Sequence, residues 1–195
     1  MATLDIREHT SVHYAPRTYH NAHVADLTAA FAVDFTTAGE RLTHKAAAGK
    51  YVAIDIVRLQ PKEAAQLVVL EALRLGAHVL NVAGNGIYPL QARGWTQERI
   101  NAYVADTLAA AHDALRSSGD REAGLTRIVS GGQTGVDLAG LVAAHRLGID
   151  AVATLPKGFV QRGADMVDRP HTREAIQAQI LDFSARLSPA CATTL

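Results

Sequence analysis

The chain alternates between short apolar runs and longer segments in which apolar residues recur at helical spacing. The apolar runs cover residues 30–35, 51–56, 78–83, 127–130 and 151–155. The segments with helical spacing cover residues 39–48, 61–75, 96–117, 134–147 and 171–187. Strands that are apolar at nearly every position are typical of a parallel sheet covered on both faces. The pattern therefore predicts an α/β protein with a single open, doubly wound (Rossmann-like) domain, in which a five-stranded parallel sheet carries helices on both faces.

The pattern divides the chain into one domain and two flanking segments. The domain covers residues 29–187, since neither half of that range holds enough strands to fold alone. Residues 1–28 lack the pattern and are predicted to be an irregular N-terminal segment, and residues 188–195 form a polar C-terminal tail. Polar residues and glycines at 117–124 make that stretch the best candidate for a linker within the domain.

The charges of the chain balance, with 19 Lys and Arg residues against 19 Asp and Glu residues. Binding of nucleic acid needs a basic face, so a net charge of zero argues against a nucleic-acid partner. The single cysteine, Cys191, excludes an internal disulfide and a cysteine-based zinc site. The sequence shows neither a signal-like apolar start nor a run of apolar residues long enough to span a membrane. We therefore expect a cytoplasmic protein with no membrane partner.

Histidines cluster in the predicted N-terminal segment, at His9, His13, His20 and His23. Such a cluster raises the question of a metal site. However, no cysteine or carboxylate completes a usual ligand set, and the spacings match no zinc pattern. We expect a solvated segment that packs partly on the domain and holds no metal.

A glycine-rich turn follows the fourth apolar run and precedes a helical segment. It consists of Gly131, Gly132, Gln133, Thr134 and Gly135. Glycines let backbone N–H groups approach a ligand closely, and the N-terminus of the next helix adds unpaired N–H groups, so the turn suits a phosphate. A tight turn without a ligand is the alternative. Asp137, in the first turn of that helix, would either stabilise the helix start or bind ligand hydroxyl groups.

The loops after other strands also carry glycines and small polar residues. The candidates are Thr37, Ala38, Gly39, Asn81, Gly84, Lys157 and Gly158. Because ligands bind beyond the carboxyl ends of parallel strands, these loops are expected to converge on one pocket. Backbone amides at 37–39 would help to hold phosphate. Lys157 would add a positive charge or be only a solvated residue, and Arg41 or Arg17 would supply a bidentate guanidinium.

Glu40 adjoins the loop at 37–39 and does not suit a phosphate site. A carboxylate there would repel the anion, so it either caps the helix or acts on another part of the ligand. Near a ribose it would stabilise the positive charge that develops at the anomeric carbon during glycosidic cleavage. Glu40 is therefore the candidate catalytic residue if the protein is an enzyme.

These motifs resemble a known family. Residues 130–137 (Ser-Gly-Gly-Gln-Thr-Gly-Val-Asp) and 155–158 (Leu-Pro-Lys-Gly) resemble the opening of the molybdenum-cofactor carrier proteins, which belong to the SLOG superfamily of Rossmann-like proteins. Residues 80–84 resemble that family's last strand and loop. The family's middle portion is similar to the stretch from Arg17 to Asn21 and to the loop at 37–39.

The family's segments stand here in rotated order, so the chain resembles a circular permutant over roughly residues 14 to 160. The resemblance implies that the five strands lie in the order fifth, fourth, third, first, second. It implies a molybdenum cofactor or a nucleotide as the ligand, with Arg17 and Asn21 at the site. In the related LONELY GUY-type phosphoribohydrolases the similar loop carries a catalytic glutamate, which favours a role for Glu40. The chain departs from both patterns: it reads Ala-Gly-Glu at 38–40 where the carriers tend to have Gly-Gly-Thr, and it lacks the full phosphoribohydrolase motif.

Three functions follow as alternatives. The first is the binding of a phosphorylated, nucleotide-like ligand, including molybdenum cofactor, without obligatory chemistry. The second is hydrolysis of the N-glycosidic bond of a nucleotide, with Glu40 stabilising the transition state and Arg41 gripping the phosphate. The third is a structural or interaction module whose glycine turns only shape loops. The apolar face of residues 96–117 belongs either to the core or to an interface, and we expect a homo-oligomer.

Overall fold

The structure is a computed structural model that describes residues 2–117 and 124–187. Cys191, the polar tail at 188–195 and most of the predicted linker lie outside the described residues. The strands of the main sheet are β1 (Leu4–Glu8), β2 (Leu27–Ala32), β3 (Tyr51–Asp55), β4 (Val79–Gly84), β5 (Arg127–Ser130) and β6 (Asp150–Leu155). Every pair of neighbouring strands in this sheet is parallel, which confirms the predicted α/β fold.

The strands lie in the order β1, β6, β5, β4, β2, β3. The five predicted strands, β2 to β6, therefore follow the expected order, and β1 adds a sixth strand beside β6. The prediction of five strands and of an irregular segment at 1–28 is wrong at this point. The reason is that β1 is an edge strand in which only Ile6 is buried, so its sequence carries little of the continuous apolar pattern of a central strand.

Helix α1 (Tyr14–Val24) occupies the second half of the same N-terminal segment. Its buried residues include Arg17 and Asn21, so the inward face is largely polar and no apolar stripe marks the helix in the sequence. Two of the clustered histidines, His9 and His20, have ring centroids 6.2 Å apart. Across residues 2–117 and 124–187, no group of three or more His, Cys, Asp or Glu side chains is placed to hold a metal ion.

The other helices differ in how clearly the sequence marks them. They are α2 (Ala38–Ala47), α3 (Pro61–Leu75), α4 (Ile87–Gln91), α5 (Gln97–Ser117), α6 (Val136–Leu147) and α7 (Arg173–Arg186). Helix α3 covers its predicted range because Gln60 and Glu63 form a capping box and Gly76 ends the helix in the left-handed region at φ 62°. The pattern does not predict the short α4, nor the two-stranded antiparallel hairpin of β7 (Gln161–Arg162) and β8 (Asp168–Arg169).

Helices cover both faces of the sheet. Helices α1 and α2 pack together on one face, whereas α3, α5, α6 and α7 form a continuous layer on the other. The apolar residues of α5, including Ile100, Val104 and Leu108, are fully buried, and α5 packs between α3 and α6. This face therefore belongs to the core rather than to an interface between copies of the chain. Among the described residues, none of the helices combines the length and apolar character needed to cross a membrane.

The ends of β2 and β4 are joined by one side chain. Backbone amides of Val33 and Asp34 donate hydrogen bonds to Oδ1 of Asn85 at 2.9 and 3.0 Å, which is why β2 ends before residue 33. Asn85 directly follows β4. The chain continues from β2 outward to β3 and from β4 toward β5 on the other side. The gap between β2 and β4 is therefore the topological switch point, where open α/β sheets form ligand sites.

Candidate functional site

A cavity of about 800 Å³ opens at the carboxyl edge of the sheet, at this switch point. Its floor is formed by Asn81, Ala83, Gly84 and Gly131. Its walls come from α1, the start of α2, α4 with the turn after it, and the hairpin of β7 and β8. The loops at 37–39 and 131–134 thus border the same cavity. Pockets for small molecules measure on the order of 300–1,000 Å³, so this one has the size for a nucleotide-like molecule.

Two glycines allow close packing at the floor of the cavity, where a side chain would clash. A Cβ atom on Gly84 would lie 2.0 Å from the carbonyl oxygen of Phe31, and Gly84 has a φ of 157°. A Cβ atom on Gly131 would lie 1.4 Å from Nη1 of Arg17. The Phe31 carbonyl belongs to the backbone and cannot yield that much space, so glycine is required at 84. A side chain at 131 would displace the Arg17 guanidinium. Gly84 thus lets β2 and β4 approach closely, and Gly131 makes room for the Arg17 side chain.

The first turn of α2 presents backbone amides to the cavity. The first hydrogen bond within the helix runs from the Arg41 amide to the Thr37 carbonyl at 3.1 Å, and Oγ1 of Thr37 accepts from the Glu40 amide at 3.2 Å. The amides of Ala38 and Gly39 precede that first bond, and both residues line the cavity. This end of α2 therefore has the N–H groups and the positive helix end that an anion needs.

An ion pair connects α1 to the glycine-rich turn. Nη1 of Arg17 lies 3.1 Å from Oδ2 of Asp137, and each side chain is only about a tenth exposed, at 9% and 11%. Burial raises the pKa of Asp137, while the nearby Arg17 guanidinium and a backbone hydrogen bond from Gln133 oppose that rise. Both residues border the cavity. Asp137 thus holds the guanidinium of Arg17 in place.

The amides at the end of the glycine-rich turn are used by the protein itself. The Gly135 amide donates to Oε1 of Gln97 at 2.7 Å, and the Val136 amide donates to the Asn85 carbonyl at 3.1 Å. Gly132 packs instead against the side chain of Leu155. The amides of Gly135 and Val136 are therefore not available to a phosphate, because Gln97 and Asn85 already accept their hydrogen bonds. Gly132 is not among the residues that border the cavity, and its role in phosphate binding stays a prediction.

The side chains of Gln133 and Thr134 hold the hairpin of β7 and β8. Nε2 of Gln133 donates to the Val160 carbonyl at 2.7 Å, and its Oε1 accepts from the Arg162 amide at 3.0 Å. Oγ1 of Thr134 donates to the Arg162 carbonyl. Both residues border the cavity, but their polar side-chain atoms form hydrogen bonds with the hairpin. The sequence motif, which suggests a phosphate loop, does not reveal these contacts.

Tyr14 anchors the far strand of that hairpin. Its hydroxyl donates to Oδ1 of Asp168 at 2.8 Å, and Asp168 also pairs with Arg162 through contacts of 2.7 and 2.9 Å. The guanidinium groups of Arg17 and Arg162 lie 5.5 and 5.1 Å from the centre of the Tyr14 ring. Burial and the hydrogen bond to Asp168 raise the pKa of Tyr14 to about 12, so the phenol stays neutral and serves as a structural anchor.

Two predicted asparagines border the cavity, Asn21 in its wall and Asn81 in its floor. Nδ2 of Asn81 donates to Oγ1 of Thr28 at 3.2 Å. Asn21 is 2% exposed, and among the described residues its Oδ1 atom has no hydrogen-bond partner. A buried polar atom without a partner costs free energy that a ligand donor or a bound water would recover. Asn21 is therefore a candidate contact for a hydrophilic edge of a ligand.

Glu40 lies beneath the start of α2 and not among the residues that border the cavity. It is 2% exposed, its Oε1 accepts from Nδ2 of Asn85 at 3.3 Å, and its Oε2 has no partner among the described residues. Burial, and next the negative charge of Asp137, raise the pKa of Glu40 to about 8. The carboxyl group is therefore largely protonated at neutral pH, which removes the repulsion of an anion expected from its sequence position.

Three basic or glycine positions predicted for the phosphate site lie elsewhere. The Lys157 amide donates to the Ser11 carbonyl at 3.0 Å, and the Gly158 amide donates to Oε2 of Glu8 at 2.8 Å. The Gly158 amide is therefore not available to a phosphate, and neither residue borders the cavity, because the end of β6 lies beside the edge strand β1 and away from the switch point. A phosphate contact of the Lys157 side chain stays a prediction. Nη1 of Arg41 donates to the Thr36 carbonyl within its own loop, and Arg41 is not among the residues that border the cavity, so its phosphate contact stays a prediction.

Several cavity residues carry no recognisable sequence motif. Helix α4 and its following turn contribute the apolar and aromatic residues Ile87, Tyr88 and Pro89 together with Arg93. Arg93 forms no ion pair with any described residue, although its charge lowers the pKa of Asp34 slightly, after the larger effect of hydrogen bonds from Thr36. The sequence signal for these cavity residues is the pair of glycines at 84 and 86, which marks a loop at the carboxyl end of β4.

Comparisons of this chain with protein-family models, with curated proteins and with solved structures find no match.

Proposed function

We propose that the protein binds a phosphorylated, nucleotide-like ligand in the cavity at the switch point. The observation that carries this proposal is the pairing of two unlike surfaces around one cavity. The start of α2 and Arg93 provide hydrogen-bond donors and positive charge, and α4 provides an apolar, partly aromatic wall. A molecule with an anionic group and a flat ring satisfies both surfaces.

The phosphate is assigned to the start of α2. The amides of Ala38 and Gly39 lie ahead of the first intrahelical hydrogen bond, and the positive end of the helix favours an anion there. The protonated carboxyl group of Glu40 adds no negative charge to this end at neutral pH. Among the described residues that border the cavity, Arg17, Arg93 and Arg162 outnumber Asp34 and Asp137, so the net charge is positive.

The ring is assigned to the wall formed by α4, Leu42 and Met166. Flat heteroaromatic rings gain from contact with apolar and aromatic side chains. Asn21 in the wall and Asn81 in the floor can accept or donate hydrogen bonds at the edge of such a ring. Nucleotides and the phosphorylated pterin of the molybdenum cofactor share this combination of ring and phosphate, and both belong to the proposed ligand class.

Binding is favoured over hydrolysis of an N-glycosidic bond. A carboxylate that stabilises an oxocarbenium-like transition state must be ionised and close to the sugar. Glu40 is buried below the cavity wall and is largely protonated at neutral pH. The hydrolase alternative would require Glu40 to move and to lose its proton. Release of free base from a nucleotide by the wild-type protein, abolished in Glu40→Gln, would establish that alternative.

The test is isothermal titration calorimetry with AMP, GMP, CMP, UMP and a pterin phosphate. We expect at least one of them to bind, and we expect Gly39→Leu to weaken binding by about tenfold or more. A Cβ atom at Gly39 has no heavy atom within 4 Å, and Gly39 borders the cavity, so leucine adds bulk beside the proposed phosphate position without a clash within the fold. Arg146→Gln, an exposed change near the end of α6, is the control and should leave the affinity unchanged. Absence of binding for all five ligands by folded protein would contradict the proposal.

A further inference from the structure

A second hollow adjoins the cavity at the carboxyl end of β3. Its volume is about 520 Å³, and it is lined by the residues that follow β3, by the start of α3 and by residues around the start of α5. Arg93 borders both the cavity and this hollow. The two spaces therefore meet at one arginine, and both lie on the ligand-binding edge of the sheet.

The hollow combines an apolar base with two arginines. Ile56, Leu59 and Trp95 are among its apolar lining residues, and Val57 contributes a side chain that is 60% exposed. Among the described residues that line it, Arg93 and Arg99 are charged and no acid is present. The hollow thus sets apolar side chains beside positively charged ones.

Arg99 offers one face of its guanidinium to the solvent. The group lies 4.1 Å from the centre of the Trp95 ring, and Nη1 donates to the Gly94 carbonyl at 3.3 Å. Trp95 is 6% exposed and is held edge-on by Tyr103, with ring centroids 5.6 Å apart. Since Arg99 is exposed, a flat ring can stack on the guanidinium from outside, as bases do on arginine planes.

The start of α3 does not compete for an anion in this hollow. The side chain of Gln60 and the carboxylate of Glu63 form a capping box, in which Oε2 of Glu63 accepts from the Gln60 amide at 2.8 Å. An anion in the hollow would therefore be held by the arginines and not by the helix end. Arg93 lies between the two spaces and has no ion-pair partner among the described residues, so it is the natural contact for a bridging phosphate.

We infer that the second hollow is a subsite for a second ring of the ligand, so that the full ligand is a phosphate-bridged molecule of the dinucleotide class. The first ring and the phosphate attached to it occupy the cavity, the second phosphate contacts Arg93, and the second ring stacks on Arg99 beside Val57. This inference rests on the proposed function, because it assigns a ligand that extends from the same cavity.

The test compares each mononucleotide with its symmetrical dinucleoside diphosphate, using AMP with diadenosine diphosphate and GMP with diguanosine diphosphate. For at least one pair, we expect the dinucleotide to bind about tenfold more tightly to the wild-type protein. Arg99→Gln and Val57→Glu should each reduce that ratio to about one, while the mononucleotide affinity changes by less than about twofold. Circular dichroism of both variants verifies that these exposed changes preserve the fold.

Trp95 supplies a second measurement because it is the only tryptophan of the chain and lines the hollow. The dinucleotide should alter its fluorescence, whereas the mononucleotide at saturation should leave it nearly unchanged. Tight mononucleotide binding without any advantage for the dinucleotide, and without a fluorescence change, would overturn the second subsite alone. Failure of every mononucleotide and dinucleotide to bind would instead overturn the proposed function.

Discussion

Two loops that look alike in the sequence differ in what their backbone amides do. The loop at 37–39 and the turn at 131–135 each combine small polar residues with glycine and lead into a helix. At the start of α2, the amides of Ala38 and Gly39 lie ahead of the first intrahelical bond and border the cavity. At the start of α6, Gln97 and Asn85 accept the hydrogen bonds of Gly135 and Val136. A glycine-rich turn is thus a ligand site or a structural joint depending on which acceptors the rest of the fold brings to it.

The largest expected effect comes from placing a methyl group in each loop. A Cβ atom on Gly135 would lie 2.6 Å from the Asn85 carbonyl oxygen, and Gly135 has a φ of 97°. We expect Gly135→Ala to lower the free energy of unfolding by about 3 kcal/mol or more, because neither the backbone conformation nor the space suits alanine. Gly39→Ala should change it by no more than about 1 kcal/mol. Urea unfolding of both variants measures the difference, and equal losses would show that the two loops are structurally equivalent.

The second prediction concerns Glu40 at the start of α2, whose pKa is raised by burial and by the charge of Asp137 at the start of α6. Its pKa is raised from 4.5 to about 8 in the folded protein, so the unfolded chain ionises first as the pH rises. This difference lowers wild-type stability progressively between about pH 4.5 and pH 8, by up to about 1.4 kcal/mol per pH unit. Below pH 4.5 the group is protonated in both states and causes no such loss.

Glu40→Gln removes this titration. We expect the variant to match the wild type within about 1 kcal/mol at pH 4.5 and to exceed its stability by about 3–4 kcal/mol at pH 8. Thermal unfolding across this range measures the effect. A constant stability difference between variant and wild type at all pH values would show that Glu40 is ionised in the folded protein.

Gln133 tests the interpretation of the glycine-rich turn as a joint. Gln133→Ala removes the hydrogen bonds to the Val160 carbonyl and the Arg162 amide, and we expect a loss of about 1–2 kcal/mol in stability. Hydrogen exchange of the Arg162 amide should become faster, while that of the Gly135 amide, held by Gln97, should change little. Unchanged exchange at Arg162 would rule out the tether between the turn and the hairpin.

The smallest expected effect is at Lys157. Its backbone amide donates a hydrogen bond to the Ser11 carbonyl beside β1, and its side chain is exposed. We therefore expect Lys157→Ala to change nucleotide affinity by less than about twofold, in contrast to Arg93→Gln, which should weaken it by about fivefold or more. Calorimetry on the two variants separates these cases. A large loss at Lys157 would place the phosphate at the end of β6.

The parts of the fold that can be predicted from the sequence are those marked by apolar runs or by helix caps. The central strands and α3 are marked by continuous apolar residues or by the Gln60–Glu63 box, and the structure confirms them. Helix α1 is hidden because Arg17 and Asn21 face inward, and β1 is hidden because it is an edge strand. Helix α1 departs from apolar periodicity because its buried face brings Arg17 and Asn21 to the cavity and must stay polar.

The candidate site was less predictable than the fold. The sequence correctly groups Ala38, Gly39, Asn81 and Gly84 around one cavity, since all follow or lie near the carboxyl ends of strands at the switch point. It cannot show that Asn85 and Gln97 occupy the amides of the glycine-rich turn, because those acceptors are distant along the chain. It also cannot show the burial that raises the pKa of Glu40 to about 8.

Amide chemical-shift mapping of ¹⁵N-labelled protein during titration with the tightest-binding mononucleotide compares the two loops most directly. The amides of Ala38 and Gly39 should shift most strongly and saturate with the calorimetric affinity, while the Gly135 and Val136 amides, which are bonded to Gln97 and Asn85, should move little. Strong shifts at 132–136 with none at Ala38 or Gly39 would contradict the assignment of the phosphate to the start of α2.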